Sequence, residues 1–210
     1  MGMTRLILRT FVIIFVCTSL VHAQETSPPI DGQEVAEPIL PPESDAVVES
    51  GDTLDTLFER LKRDPKESSA SAIAKEIWRE WSLASGSDSI NLLMRWATRA
   101  MQAKEFAKAQ DLLDEVVVLA PTYAEGWNRR ATLYYYMEDF GRSIVDIETT
   151  LALEPRHFGA LSGLAAILQQ TGNDEAALET WYKVLEIYPA NAQAQNSVIT
   201  LEEKLAGSRT

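Results

Sequence analysis

Three prolines fix most of what this chain can become. VVVLAP ends at Pro121, LALEP at Pro155 and LEIYP at Pro189, so a similar apolar run closes on a proline every 34 residues. Proline has no N–H to donate and pushes the residue before it out of the helical region, so each one stops a helix at a set point. A stop repeated at a fixed interval lets each unit begin at the same angle as the last. Such a chain builds a superhelix of like units rather than a closed globule.

Aligned on the prolines, the units are residues 90–123, 124–157 and 158–191. Small residues recur at position 8 (Ala97, Ala131, Ala165) and position 20 (Ala109, Ser143, Ala177). Large ones recur at position 4 (Leu93, Trp127, Leu161) and position 24 (Leu113, Ile147, Trp181). Two antiparallel helices approach closely only where a small side chain faces the crossing point and bulky ones fill the space beside it. Each unit therefore reads as a helical hairpin. No run alternates with period two long enough to form a strand; Val116 to Leu119 is β-prone but lies inside a longer helical pattern.

At these residues the sequence resembles the tetratricopeptide-repeat (TPR) family, whose repeat carries a large residue at 4, Ala at 8, an aromatic at 17, Ala at 20, a large apolar residue at 24 and Pro at 32. Phe106 and Phe140 supply the aromatic at position 17, and Asp174 replaces it in the third unit. Arg130 stands at position 7, where an apolar residue is usual, and these two departures are expected to loosen local packing. The resemblance implies an all-α, right-handed superhelical solenoid of antiparallel helix pairs.

Both flanks extend the pattern. Over residues 51–89, Leu54, Leu57, Phe58 and Leu61 form one helical stripe that Asp52 or Thr53 can cap, and Ala74, Trp78 and Trp81 lie on a second. This segment is expected to form a degenerate first repeat. Residues 192–207 read as a capping helix, with Val198, Ile199, Leu201 and Leu205 on one side and Gln193, Gln195, Asn196, Glu202 and Lys204 on the other. One polar face at the end keeps the last apolar surface of a solenoid out of water.

The N-terminus has the order of a secretion signal over residues 1–23: basic Arg5 and Arg9, an apolar stretch from Phe11 to Leu20, and the small-residue exit Val21-His22-Ala23. The apolar stretch is short of the roughly 20 residues that span a bilayer, so no stable membrane insertion is expected after cleavage; an uncleaved anchor, which would leave the rest of the chain on the same side of the membrane, is the alternative. Residues 24–50 hold five prolines, seven acids and no lysine or arginine, the composition of a disordered acidic spacer. Cys17, the only cysteine, falls inside the signal. An exported, acidic, cysteine-free mature chain fits the periplasm of a Gram-negative bacterium better than an animal or plant secretome rich in disulfides.

A net charge of −12 argues against nucleic-acid partners, whose recognition replaces counterions with basic side chains. No phosphate-binding loop, HExxH or metal-spaced cluster is present, and neither catalytic residues nor a cofactor or metal site is expected. His157, two residues after Pro155, reads as a solvated loop residue rather than a catalytic base. Trp127 and Trp181 match core positions of the repeat and Trp96 an apolar packing position, so these three read as core rather than as a sugar or lipid platform.

The resemblance also implies a surface, since in the family positions 2, 5, 6, 9, 12 and 13 of each first helix face a concave groove. The candidates are Asn91, Met94, Arg95, Thr98, Met101 and Gln102 in the first unit, and Asn128, Arg129, Thr132, Tyr135 and Tyr136, with Glu125, in the second. The third unit offers Gly159, Ser162, Gly163, Ala166, Gln169 and Gln170. Arg95 and Arg129 either take a partner's carboxylate together or pair with Glu125 and other local acids. Asn128 suits a peptide backbone, and Met94, Met101, Tyr135 and Tyr136 offer adaptable apolar contact. The chaperone-tail clamp known in cytosolic relatives is missing, because Met94, Thr98, Arg129, Gly159 and Gly163 stand at its places. The function expected is a non-catalytic scaffold or adaptor in the cell envelope that binds a protein segment. A structural subunit using the convex face or ends, and a binder of cell-wall glycan or lipid, are the alternatives.

Overall fold

The structure is a computed structural model that describes residues 53–207; the expected signal and acidic spacer lie outside the described residues. Among the described residues there are helices and loops and no strand. A first pair comprises α1 (Leu54–Arg63) and α2 (Glu67–Leu83). Three further hairpins follow: α3 (Asp88–Gln102) with α4 (Phe106–Leu119), α5 (Ala124–Tyr136) with α6 (Phe140–Leu153), and α7 (Phe158–Gln170) with α8 (Asp174–Ile187). The last helix is α9 (Ala192–Gly207).

The hairpins repeat down to their turns. Position 15 of each unit takes a left-handed backbone, at Lys104 (φ 59°), Glu138 (φ 59°) and Gly172 (φ 79°). Each turn returns two N–H groups to the helix it leaves: Lys104 to Met101 and Glu105 to Ala100, Glu138 to Tyr135 and Asp139 to Tyr134, Gly172 to Gln169 and Asn173 to Leu168. These bonds satisfy carbonyls that a helix end leaves orphaned. The small positions are fully packed, with Ala97, Ala109, Ala165 and Ala177 buried and the Ser143 hydroxyl donating to the Ala131 carbonyl across the crossing (2.8 Å).

Both departures from the repeat pattern tighten the packing, contrary to expectation. Arg130 forms a two-pronged ion pair with Asp146 (2.7 and 2.9 Å) and a bond to Asp114 of the preceding repeat (2.8 Å). Its guanidinium also lies over the Trp127 ring at 4.9 Å. Asp174 accepts from Lys204 (2.6 Å) and so ties α9 to α8. On α9, Val198 and Leu201 are buried as expected, but Ile199 faces solvent. Trp181 is core, Trp127 is half-buried, and Trp96 is 45% exposed, a correction to its reading as a packed residue.

The first pair is placed differently from a preceding repeat. A stacked repeat would share its core with α3 and α4; instead α1 and α2 share one apolar cluster with α7, α8 and α9, while α3 and α4 form a separate cluster. The helix α2 lies as a strap across the loops that join successive repeats. Its Ser82 carbonyl accepts from the Tyr123 hydroxyl before α5 (2.9 Å). Its Trp81 stacks on His157 before α7 (4.0 Å between centroids, 9° between planes), and Trp78 meets Phe158 edge-on at 5.7 Å. Further along, Tyr188 and Ala190 before α9 join the same cluster.

Gly159 makes room for the strap. A Cβ there would stand 2.5 Å from the Trp78 ring, which Trp81, His157 and Phe158 hold on three sides. Gly159→Ala is therefore expected to cost about 1–3 kcal/mol. At Gly163 a Cβ would meet only Ile147, at an ordinary 3.6 Å, and Gly163→Ala is expected to stabilise by up to about 1 kcal/mol through helix propensity. Urea unfolding of the two variants checks the opposite signs.

Candidate functional site

The ten groove candidates line three adjoining clefts along α3, α5 and α7. The first, of about 470 Å³, takes Asn91, Met94, Arg95, Thr98 and Arg129. The second, about 370 Å³, takes Thr98, Met101, Arg129, Thr132 and Tyr136. The third, about 390 Å³, takes Asn128, Thr132, Tyr135 and Tyr136 with Gly159, Ser162, Gly163 and Ala166. Shared residues make one trough of the three: Thr98 and Arg129 belong to the first and second, Thr132 and Tyr136 to the second and third.

Charge divides the trough. Among the described residues its first cleft is lined by Arg95, Arg99 and Arg129 and by no acid, although the chain carries 31 acidic residues against 19 basic ones. Arg95 and Arg99, four residues apart on α3, make no ion pair among the described residues. The third cleft is lined only by uncharged residues. The trough thus runs from a cationic end at α3 to a neutral end, with small and tyrosine side chains, at α7.

Two candidates are not free as the sequence left open. Arg129 is held by Glu125 (Nη2 to Oε1, 2.6 Å), so the local-acid reading applies to it and not to Arg95. The Asn128 amide donates to the other Glu125 oxygen (2.9 Å), and Asn128 is buried, so it is not poised to hold a peptide backbone. Thr98 and Thr132 bond back to the Met94 and Asn128 carbonyls of their own helices (2.8 and 2.9 Å).

Glu125 is the hub beneath the trough. Burial pushes its carboxyl up, and the bonds from His157 and Arg129 outweigh burial and hold it below the usual carboxylate range. His157 is fully buried, which corrects its reading as a solvated loop residue. Its Nδ1 accepts from the Ala160 N–H and caps α7 (3.1 Å), leaving the ring proton on Nε2, 3.3 Å from Glu125 Oε2. One face of the same ring carries Trp81. A chain of contacts therefore runs from the strap through His157 and Glu125 to Arg129 in the trough. Among the described residues no group of side chains could hold a metal ion, and no helix is long and apolar enough to cross a membrane.

No family model matches the chain. A TPR repeat-containing protein of Rhizobium etli is 54% identical to it over 157 residues, 75% of this chain and 76% of that protein. The chain belongs to the tetratricopeptide-repeat proteins. Another TPR protein, small glutamine-rich tetratricopeptide repeat-containing protein 2 of Saccharomyces cerevisiae, is 29% identical over 94 residues, 45% of this chain and 27% of that protein. Among solved TPR structures, the first TPR domain of Spaghetti (RPAP3), bound to an HSP90 peptide, superposes with a TM-score of 0.53 at 21% identity, over 56% of this chain and 93% of that one. The crystal structure of MamA gives 0.53 at 19% identity, over 65% of this chain and 84% of that one. At such identities the likeness is one of fold, an all-α TPR solenoid.

Three trough features of this TPR protein escaped the sequence reading. Arg99 stands at position 10, outside the family's set of groove positions. Ser82 and Leu83 come from the strap, whose course along the repeats no periodicity reveals. Tyr123 lines the first cleft from the loop before α5; burial pushes its hydroxyl well above the ordinary tyrosine range, with the Glu125 carboxylate adding to the shift.

Proposed function

We propose that the chain is a non-catalytic interaction scaffold that holds an extended, acid-bearing segment of a protein partner along the trough, with the acidic end of that segment at Arg95 and Arg99. The observation that carries this reading is a pair of arginines that, among the described residues, have no ion-pair partner and stand in a cleft lined by no acid, on an otherwise acidic chain. A guanidinium takes a carboxylate through two parallel N–H bonds, and two of them one helical turn apart can take two carboxylates or share one. The RPAP3 domain carries an acidic peptide, SRMEEVD, and that supports a peptide as the class of partner. Here Met94, Thr98, Arg129, Gly159 and Gly163 stand where the chaperone clamp would be, so the partner is read by other contacts. The neutral third cleft suits small or aromatic side chains in the rest of the segment.

The cell envelope is the place proposed for this work, on the strength of the basic, apolar and small-residue order of residues 1–23. Fractionation of the producing cells tests it; recovery in the cytosol with residues 1–23 retained defeats it.

Selection from a displayed peptide library tests the groove. Enriched peptides are expected to carry Asp or Glu next to apolar residues, and Arg95→Glu with Arg99→Glu is expected to weaken them at least about tenfold, the scale of a lost charged pair. Enrichment of sequences without acids, or equal binding by the double variant, defeats the reading.

A further inference from the structure

Among the described residues nothing covers the end of the array that begins with α3, and the repeat register shows why. In the second repeat, position 7 (Arg130) meets position 23 of its own unit (Asp146) and position 25 of the unit before (Asp114). Covered in this way, the Arg130 side chain is only 16% exposed and Asp146 is buried. In the third repeat the same seat is Leu164, partly buried, and Thr180, buried. In the first repeat the seat is Trp96 and Leu112. Among the described residues no second helix of an earlier repeat covers it, because the pair α1 and α2 is laid along the loops as the strap. Trp96 consequently stands 45% exposed, above a cleft of about 510 Å³ that it shares with Leu112 and Ala103 and that Arg99, Glu105 and Lys108 edge.

The opposite end is mostly polar, with Ile199 as the large apolar side chain that α9 leaves in solvent. On α9, Val198 and Leu201 turn inward, Lys204 is tied to Asp174, and Gln195, Asn196 and Glu202 face solvent. A solenoid needs polar faces at both ends to stay apart from its own kind. This one has such a face at one end and a tryptophan at the other.

We infer that the bare face is covered by the same face of a second copy of the chain, in a two-fold dimer. The face is complementary to itself. Trp96 and Leu112 offer the apolar cover that the partner's Trp96 and Leu112 lack. Glu105 and Lys108 pair at 3.1 Å within one chain while both remain more than half exposed, and a two-fold axis can exchange the pair, setting each Lys108 against the other copy's Glu105. A head-to-tail contact would instead set Trp96 against the outer side of α9, where Ile199 stands among Gln195, Asn196 and Glu202, and repeated contacts of that kind leave an open filament. A two-fold contact closes on itself, so no uncovered end is left. The face meets the trough at Arg99, which lines the first cleft as well as this one, while Trp96, Glu105 and Lys108 line none of the trough's clefts.

Sedimentation of the chain from about 1 µM to about 1 mM tests it, with far-UV circular dichroism to confirm that each variant keeps its helices. The expected result is a species of twice the chain mass at the upper concentrations. Trp96→Glu should weaken its formation at least tenfold. Lys108→Glu alone should weaken it, and Glu105→Lys added to Lys108→Glu should restore it, because the exchanged pair is then reversed on both sides. A monomer throughout the range overturns the inference. So does a dimer that Trp96→Glu leaves intact, which would place the interface elsewhere, or a series of growing oligomers, which would make the contact head-to-tail.

Discussion

Trp81→Ala is expected to lower the unfolding free energy by about 3–5 kcal/mol, the range for removing a large aromatic from a packed interior. The ring is buried where the strap meets the repeats, stacked on His157 and in contact with Phe58, Trp78 and Phe158. Its loss removes apolar area and strips the cover from a buried histidine. Trp81→Phe should cost far less. The indole Nε1 is buried without a hydrogen-bond partner among the described residues, and phenylalanine removes that unmet donor while keeping an aromatic ring at the site. Urea unfolding gives the totals. Hydrogen exchange gives the distribution: in Trp81→Ala, amides of α1 and α2 should open at lower free energy than those of α5 to α8, because the strap adds nothing to the hairpins' own hydrogen bonds. Uniform loss of protection across all helices would show that strap and repeats form one cooperative unit, against the idea of a docked strap.

The array itself is legible in the sequence, and the strap is not, for one physical reason. Small residues at positions 8 and 20 are needed wherever two helices of a hairpin cross, so the spacing of Ala97, Ala109, Ala131 and Ser143 specifies both the helices and their partners. The stripes of α1 and α2 specify only which side is buried. Leu57, Phe58, Leu61, Ala74 and Trp81 would be hidden equally by a preceding-repeat position and by the rim that they occupy. The clue lay elsewhere, in a glycine at 159 beside a histidine at 157, a gap and a flat ring that suit a tryptophan from outside the array. Arg130 teaches a similar lesson. A charge at an apolar position reads as a defect until Asp114 and Asp146, each 16 residues away, are seen to converge on it from two helices. In the trough, the sequence placed the ten candidates on one surface but could not choose between a free and a paired Arg129. Glu125, one helical turn earlier, decides that choice because it is buried and needs a cation.

Glu125→Ala is expected to cost about 3 kcal/mol at neutral pH. A buried carboxylate with three donors is replaced by a methyl group, and the Asn128 amide and the His157 Nε2–H are left buried without an acceptor. Arg129 is partly exposed and can turn to water, which keeps the figure at the low end of the range for a broken buried pair. Glu125→Gln keeps the shape and one acceptor and should cost about 1–2 kcal/mol. The pH dependence separates charge from shape. The folded-state carboxyl titrates below its unfolded value of about 4.3, so its contribution is complete above that value and is lost as pH falls through the folded one. The wild type should therefore lead Glu125→Gln at pH 7, and the gap should close as the solution is acidified below about pH 4. A gap of constant size across that range would mean that the carboxylate charge contributes nothing there. The same variant bears on function. With the carboxylate gone, Arg129 is released into the trough beside Arg95 and Arg99, so an acidic peptide should bind Glu125→Gln more tightly than wild type although the protein itself is less stable. Stability and affinity moving in opposite directions is what a cation held in reserve by a buried acid predicts, whereas a merely damaged groove would lose both.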